Sequence, residues 1–178
     1  MADIEVILVD EHDREVGTME KLTAHEQGLL HRAVSVYVFN ARDELLLQRR
    51  AAVKYHCGGL WTNTCCGHPL PGERTVDAAQ RRLREEMGLG CELAKAFEFS
   101  YRAELPGGLV EHEYGHIFFG RSDSVPELDA DEADAFMYCS IDDIRGGFVR
   151  TPQVYTPWFR LVFPTVLAHF SPLSATQS

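Results

Sequence analysis

No stretch of the 178-residue chain approaches the roughly 20 consecutive apolar residues that a membrane span requires. The opening residues, Met1-Ala2-Asp3-Ile4-Glu5, lack the basic and apolar regions of a secretory leader, so a cytoplasmic protein without a membrane partner is expected. Positive charge is also scarce: 17 Lys and Arg stand against 27 Asp and Glu, for a formal net charge of −10. That balance excludes a nonspecific nucleic-acid binder, because such a protein needs a basic face. An anionic ligand must instead be met locally, by clustered cations or by metal ions. The cysteines offer no disulfide framework. Cys57, Cys65, Cys66, Cys91 and Cys139 are odd in number, and Cys65 and Cys66 are too close to bridge easily, so reduced thiols are expected. Internal repeats, low-complexity tracts and dividing linkers are absent too, which leaves a single domain over residues 1–178 and a monomer.

What is present reads as a mixed α/β protein. Ile4 to Val9 is a short β-branched run, and Ala33 to Asn40 and Leu45 to Gln48 form two strands around an Asn-Ala-Arg-Asp-Glu turn. A loop rich in Gly follows. Thr75 to Met87 then has high helix propensity and ends before Gly88, with Thr75 expected as the N-cap and Asp77 in the first turn. Phe97 to Tyr101, Val110 to Phe119 and Phe136 to Ile141 are strand-like, and Thr156 to Phe170 spaces its apolar residues as a packed helix with a kink at Pro164. Residues 171–178 are expected to form a loose tail.

From Gly67 to Leu89 the chain reads G-H-P-L-P-G-E-R-T-V-D-A-A-Q-R-R-L-R-E-E-M-G-L, which resembles the Nudix box. Gly67, Glu73, Arg81, Leu83, Glu85, Glu86, Gly88 and Leu89 match that pattern. Where the hydrolase pattern has a carboxylate after its first Arg, this chain has Arg82. Hydrolysis of a diphosphate needs several carboxylates to hold metals and activate water, and here that set is depleted. Glu86, with Arg82 one helical turn before it, suits holding a diphosphate through one Mg²⁺ and a guanidinium without cleaving it. The bland alternative is that Arg81/Glu85 and Arg82/Glu86 are solvated pairs worth a few tenths of a kcal/mol each.

A second constellation points to a metal. His25, His31, His68, Glu111 and Glu113 together suit Mn²⁺, Zn²⁺ or Mg²⁺. Glu111 and Glu113 are two apart on an expected strand, so both side chains leave one face, whereas His112 and His116 leave the other. His12, His56 and His169 are read as ordinary surface or core histidines. Cys66, beside His68, is either a proton-transferring thiol, a buried small hydrophobe or a zinc ligand. Cys65 is expected to be buried.

Three stretches, T-N-T-C-C-G-H-P (62–69), E-H-E-Y-G-H-I-F (111–118) and Y-T-P-W-F (155–159), are similar to those of type 1 isopentenyl diphosphate isomerases, in that family's order over nearly the whole chain. The resemblance implies a Nudix-type α/β/α sandwich that interconverts isopentenyl and dimethylallyl diphosphate in isoprenoid biosynthesis. Protonation and deprotonation would proceed through a tertiary carbocation. It implies that His25, His31, His68, Glu111 and Glu113 hold a divalent metal, and that Glu86 holds a Mg²⁺ bridging to the diphosphate. Cys66 and Glu113 become the proton-transfer pair, with Tyr101 supporting Glu113. Lys21, Arg50, Lys54 and Arg82 become diphosphate contacts. Trp158, with Trp61 as a second candidate, would face the hydrocarbon and stabilise the cation. Residues 1–32 are expected as an extension whose loop-like Lys21 to His31 segment acts as a lid. The competing readings are a Nudix hydrolase of a nucleoside diphosphate derivative and a noncatalytic metal-stabilised binding domain.

Overall fold

The computed structural model describes residues 4–173. Strands β1 (Glu5–Val9) and β2 (Glu15–Glu20) lead into α1 (Lys21–Gln27), followed by β3 (His31–Phe39) and β4 (Leu45–Arg50). Two short strands, β5 (Trp61–Thr62) and β6 (Cys65–Gly67), precede α2 (Thr75–Met87). The remainder comprises β7 (Leu93–Glu104), β8 (Val110–Arg121), β9 (Ala133–Cys139), α3 (Ile141–Arg150) and α4 (Pro157–His169). Among the described residues no helix is long and apolar enough to cross a membrane.

Strand β3 organises the sheet. On one edge it runs parallel to β8 from His31↔Glu113 to Phe39↔Arg121. On the other edge β1, β6 and β4 follow one another along its length, meeting it at His31, at 34–36 and at Phe39. Nearly continuous burial of β3 explains its β-branched run: both of its faces are covered. Val34, Val36 and Val38 pack with Ala78, Ala79, Leu83 and Met87 of α2. Tyr37 and Phe39, on the opposite face by the two-residue period, pack with Ile144 of α3 and with Trp158, Phe159, Val162 and Phe163 of α4. The result is a three-layer α/β/α domain.

Several expectations are corrected. Thr75 is the first helical residue and not the cap: Arg74 occupies that position in extended backbone and makes no side-chain cap bond. Arg74 instead donates to Asp77 at 2.7 and 3.0 Å, which ties the first turn from outside. The helix ends as expected, with Gly88 at φ 61° and its N–H on the Arg84 carbonyl. Over Lys21–Gln27 the expected loop is a helix, capped by Glu20, whose carboxylate accepts from the Leu22 and Thr23 N–H groups at 2.8 Å each. Pro164, the expected kink residue, lies inside α4 as expected. Of the expected tail, 174–178 lie outside the described residues. Ser171 and Leu173 are anchored: Arg121 donates to the Ser171 carbonyl at 3.1 Å, and the Leu173 N–H to Asp43 at 3.0 Å.

Candidate metal and proton-transfer site

Register across three strands builds the centre of the site. Glu113 of β8 lies opposite His31 of β3 on one side and Tyr101 of β7 on the other, so the three side chains form one row on one face. The Tyr101 hydroxyl donates to Glu113 Oε2 at 2.9 Å, and His68 Nε2 lies 3.1 Å from Oε1. His31 Nε2 is 3.7 Å from the same oxygen. Glu111, two residues earlier, shares the face, whereas His112 and His116 point away to the Gly28 carbonyl and to Asp13.

The histidines are oriented before any ligand arrives. His25 Nδ1 contacts the Lys21 carbonyl at 2.7 Å within α1, and His31 Nδ1 contacts the Leu29 carbonyl at 2.8 Å. A carbonyl can only accept, so both Nδ1 atoms carry the proton and both Nε2 atoms present lone pairs inward. Among the described residues, those two Nε2 atoms and Glu111 Oε2 are buried without a hydrogen-bond partner. His25 Nε2 and Glu111 Oε2 stand 3.3 Å apart. Candidate ligand atoms of His25, His31, His68 and Glu113 all lie within 4.8 Å of one another, and those of His25, His56 and Glu111 form a second such group. Buried lone pairs left unsatisfied cost about 1–3 kcal/mol each, and two buried carboxylates on one face repel. A divalent cation coordinated there removes both penalties, so the residues fit a metal.

Acidities follow the same geometry. Burial pushes His68 down to about 3, so that ring is neutral at physiological pH. Burial alone would raise Glu113, but its contacts with His31 and His68 outweigh it and hold the carboxyl well below the usual range.

His56, expected as an ordinary surface or core histidine, is a buried one that also borders the site. It lies 9% exposed, with Nε2 2.5 Å from Glu111 Oε1. Fifty-five residues separate the two in the chain, so no local spacing could have joined them.

The cationic end is assembled from four elements. Lys21, Arg50, Lys54 and Arg82 all border one cleft of about 460 Å³, together with Cys66, His68, Tyr101, Glu86, Glu111, Glu113 and Trp158. Burial lowers the Lys21 ammonium pKa, and the charges of Lys54 and Arg82 lower it further. Arg82 is partly buried and paired: it donates to Glu85 at 2.6 Å and Glu86 at 2.5 Å, and lies 3.2 Å from Glu132. Glu132, which also pairs with Lys54, carried no signal in the sequence. Glu86 is buried, with its second oxygen accepting from Gln48 at 2.6 Å. A Cβ on Gly67 would stand 2.5 Å from Arg82 Cγ, so glycine here lets the arginine cross β6. Glu73 and Arg81 pair at 2.8 and 2.9 Å, and Arg81 also donates to the His68 carbonyl.

Cys66 sits beside Ser35 at 3.4 Å and donates to Asn63 Oδ1 at 3.3 Å. Burial pushes this thiol up to about 12. Trp158 is held by its indole N–H on Thr62 Oγ1 at 3.1 Å, with the Arg50 guanidinium 5.3 Å from its ring centre. Trp61 does not border the cleft; its ring lies 5.8 Å from the Arg49 guanidinium. The two-residue period sends Thr62 and Trp61 to opposite sides of β5, Thr62 buried and Trp61 half-buried against the core. Cys65 is fully buried, as expected. Another hollow, of about 490 Å³ around Phe39, Phe119 and Phe170, holds none of the residues picked out from sequence.

Known proteins resemble this chain over most of its length. The NUDIX domain family model matches residues 29–159. An isopentenyl-diphosphate Delta-isomerase of Pectobacterium atrosepticum is 52% identical over 174 residues, covering 98% of this chain and 97% of the relative. Isopentenyl-diphosphate Delta-isomerase 2 of Aromatoleum aromaticum is 51% identical, covering 92% and 87%. Among solved structures, a Deinococcus radiodurans protein superposes with a TM-score of 0.74 at 18% identity, covering 90% of this chain and 98% of that one. The MutT protein of Methanosarcina mazei superposes with a TM-score of 0.64 at 21% identity, covering 76% and 91%. At those identities the structural likeness speaks for the fold alone.

Proposed function

Because this chain belongs to the Nudix domain family and, within it, to the isopentenyl-diphosphate Delta-isomerases, we propose that its cleft moves the double bond of isopentenyl diphosphate to give dimethylallyl diphosphate, with Cys66 and Glu113 as the two proton-transfer groups. The observation that carries the reading is that both border one cleft from separate strands, each with its own hydrogen-bond partners, beside buried histidine lone pairs and with four cations lining the same cleft.

The chemistry needs one carbon of an unactivated alkene to gain a proton and another carbon to lose one, with a tertiary cation between. Two groups on different elements can flank the substrate, whereas two side chains of one strand face cannot. Lys21, Arg50, Lys54 and Arg82 bind the diphosphate oxygens, which is how a chain of net charge −10 accepts a polyanion. The Trp158 ring faces the hydrocarbon and stabilises the cation by about 2 kcal/mol or more once water is excluded. Tyr101 fixes the orientation of the Glu113 carboxylate through its 2.9 Å hydrogen bond. His25, His31, His68, Glu111 and Glu113 would hold Mn²⁺, Zn²⁺ or Mg²⁺, whose charge would neutralise the two buried carboxylates and lower the proton affinity of Glu113. Glu86, already held by Arg82 and Gln48, would supply a carboxylate to a Mg²⁺ whose charge would help neutralise the diphosphate. The protein acts in the cytoplasm as a monomer, the cytoplasmic reading being supported by five free thiols.

Incubating purified protein with isopentenyl diphosphate and Mg²⁺ in D₂O tests this. Dimethylallyl diphosphate carrying deuterium is expected, and Cys66→Ala and Glu113→Gln should each lower turnover at least about a hundredfold. Unchanged turnover in either variant removes its assigned role, and release of inorganic phosphate from nucleotides in place of isomerisation would overturn the reading.

A further inference from the structure

His56 is held on three sides. Its ring stacks on Tyr55 with centroids 4.4 Å apart and lies 5.7 Å from the Trp158 ring. Arg50 Nη2 reaches its carbonyl at 3.2 Å and its Nδ1 at 3.3 Å. An arginine has only donors, so Nδ1 must accept and the ring proton sits on Nε2. That proton faces Glu111 Oε1 at 2.5 Å. With Oε1 so occupied, Glu111 has Oε2 left, and this is the buried, unpartnered oxygen 3.3 Å from the equally unpartnered His25 Nε2. Direct ligation by His56 is the competing arrangement; against it, Arg50 holds Nδ1 and so leaves the ring proton on Nε2, the nitrogen that faces Glu111.

We infer that His56 is a positioning residue of the metal site: its Nε2–H fixes the Glu111 carboxylate so that Oε2 faces the metal, and Arg50 fixes the His56 tautomer. Arg50 thereby has two roles in the cleft, contacting diphosphate and, through one imidazole, orienting a metal ligand. The inference rests on the metal reading of His25, His31, His68, Glu111 and Glu113 given above. A hydrogen-bonding group behind a metal ligand commonly contributes 10–100-fold to metal affinity, and the same about tenfold to hundredfold range is expected here.

The test titrates Mn²⁺ into metal-stripped full-length protein without any diphosphate, following bound ion by electron paramagnetic resonance. His56→Leu should weaken Mn²⁺ binding by about tenfold or more, and His56→Gln, which can return an N–H to Glu111, should recover most of the loss. Arg50→Met should weaken binding by about threefold or more in the native background and add little to His56→Leu, since the two act through one contact. A residue that only binds diphosphate would not move this readout. Mn²⁺ binding by His56→Leu at wild-type strength overturns the inference while leaving the metal reading intact. A His56→Gln protein as weak as His56→Leu, with native circular dichroism, overturns it in favour of direct ligation. Wild-type protein that binds no Mn²⁺, Zn²⁺ or Mg²⁺ overturns the metal reading and this one together.

Discussion

Trp158 of α4 and Cys66 of β6 are joined by a buried hydrogen-bond chain of two intervening side chains, Thr62 and Asn63. Its direction follows from satisfiability. An indole N–H only donates, so Thr62 Oγ1 accepts it, and it accepts the Thr156 hydroxyl as well. The Thr62 proton is left for Asn63 Oδ1 at 3.0 Å. The Asn63 amide nitrogen donates to the Val36 and Cys65 carbonyls, which turns its oxygen toward both Thr62 and the Cys66 thiol. The aromatic wall and the thiol of the proposed reaction are thus held in one frame.

Thr62→Val keeps shape and removes the hydroxyl, leaving the Trp158 N–H and the Thr156 hydroxyl unpartnered in a dry interior. A loss of about 1–3 kcal/mol in unfolding free energy is expected, the usual penalty for orphaned buried polar groups. Denaturant unfolding monitored by tryptophan fluorescence measures it. A loss below about 0.5 kcal/mol would show that the chain does not stabilise the fold.

Glu20 couples pH to the segment that carries His25. Its carboxyl is held below the ordinary value of 4.5 by hydrogen bonds from the Leu22 and Thr23 N–H groups. A depressed folded-state value means that this cap stabilises fully above 4.5 and is lost as the pH falls through the lower folded value. Glu20→Ala should cost about 1 kcal/mol at pH 7, typical of a lost cap, and no more than wild type at low pH, where the native cap is already protonated. Unfolding at pH 7 and at successively lower pH reads the difference; a constant gap across that range would refute the linkage.

Gly67→Ala forces a methyl group to within 2.5 Å of Arg82 Cγ. Either the arginine leaves its contacts with Glu85, Glu86 and Glu132 or the strand shifts, at about 1–3 kcal/mol for overpacking. Raised KM for the diphosphate substrate together with a lowered Tm is the expected outcome. Wild-type values of both would show that Arg82 has room to move.

Much of the sheet was legible because its strands carry strong two-residue or continuous apolar patterns, as β3 and β8 do. What escaped was written in weak local signals. The strand β2 is largely exposed and carries Gly17 in its middle, so it has no apolar alternation to read. The helix α3 contains Gly146 and Gly147, each about 1 kcal/mol less favourable than alanine in a helix, and it is held by packing and by the Ser140 cap on the Asp143 N–H. His56, Glu132 and Gln48 entered the site without a motif of their own, each through a contact with a residue at least 38 positions distant along the chain.

The sequence by itself determined which atoms are available: the imidazoles, the carboxylate pair on one strand face, the thiol, and an arginine where a hydrolase carries a carboxylate. Periodicity alone settled that Glu111 and Glu113 share a face from which His112 and His116 are excluded. Only the tertiary structure decided which of these atoms keep a lone pair unspent. That depends on which carbonyl lies behind each ring and which donor reaches each carboxylate, and hydrogen bonds acting over about 3 Å between distant segments exist only once the chain has closed.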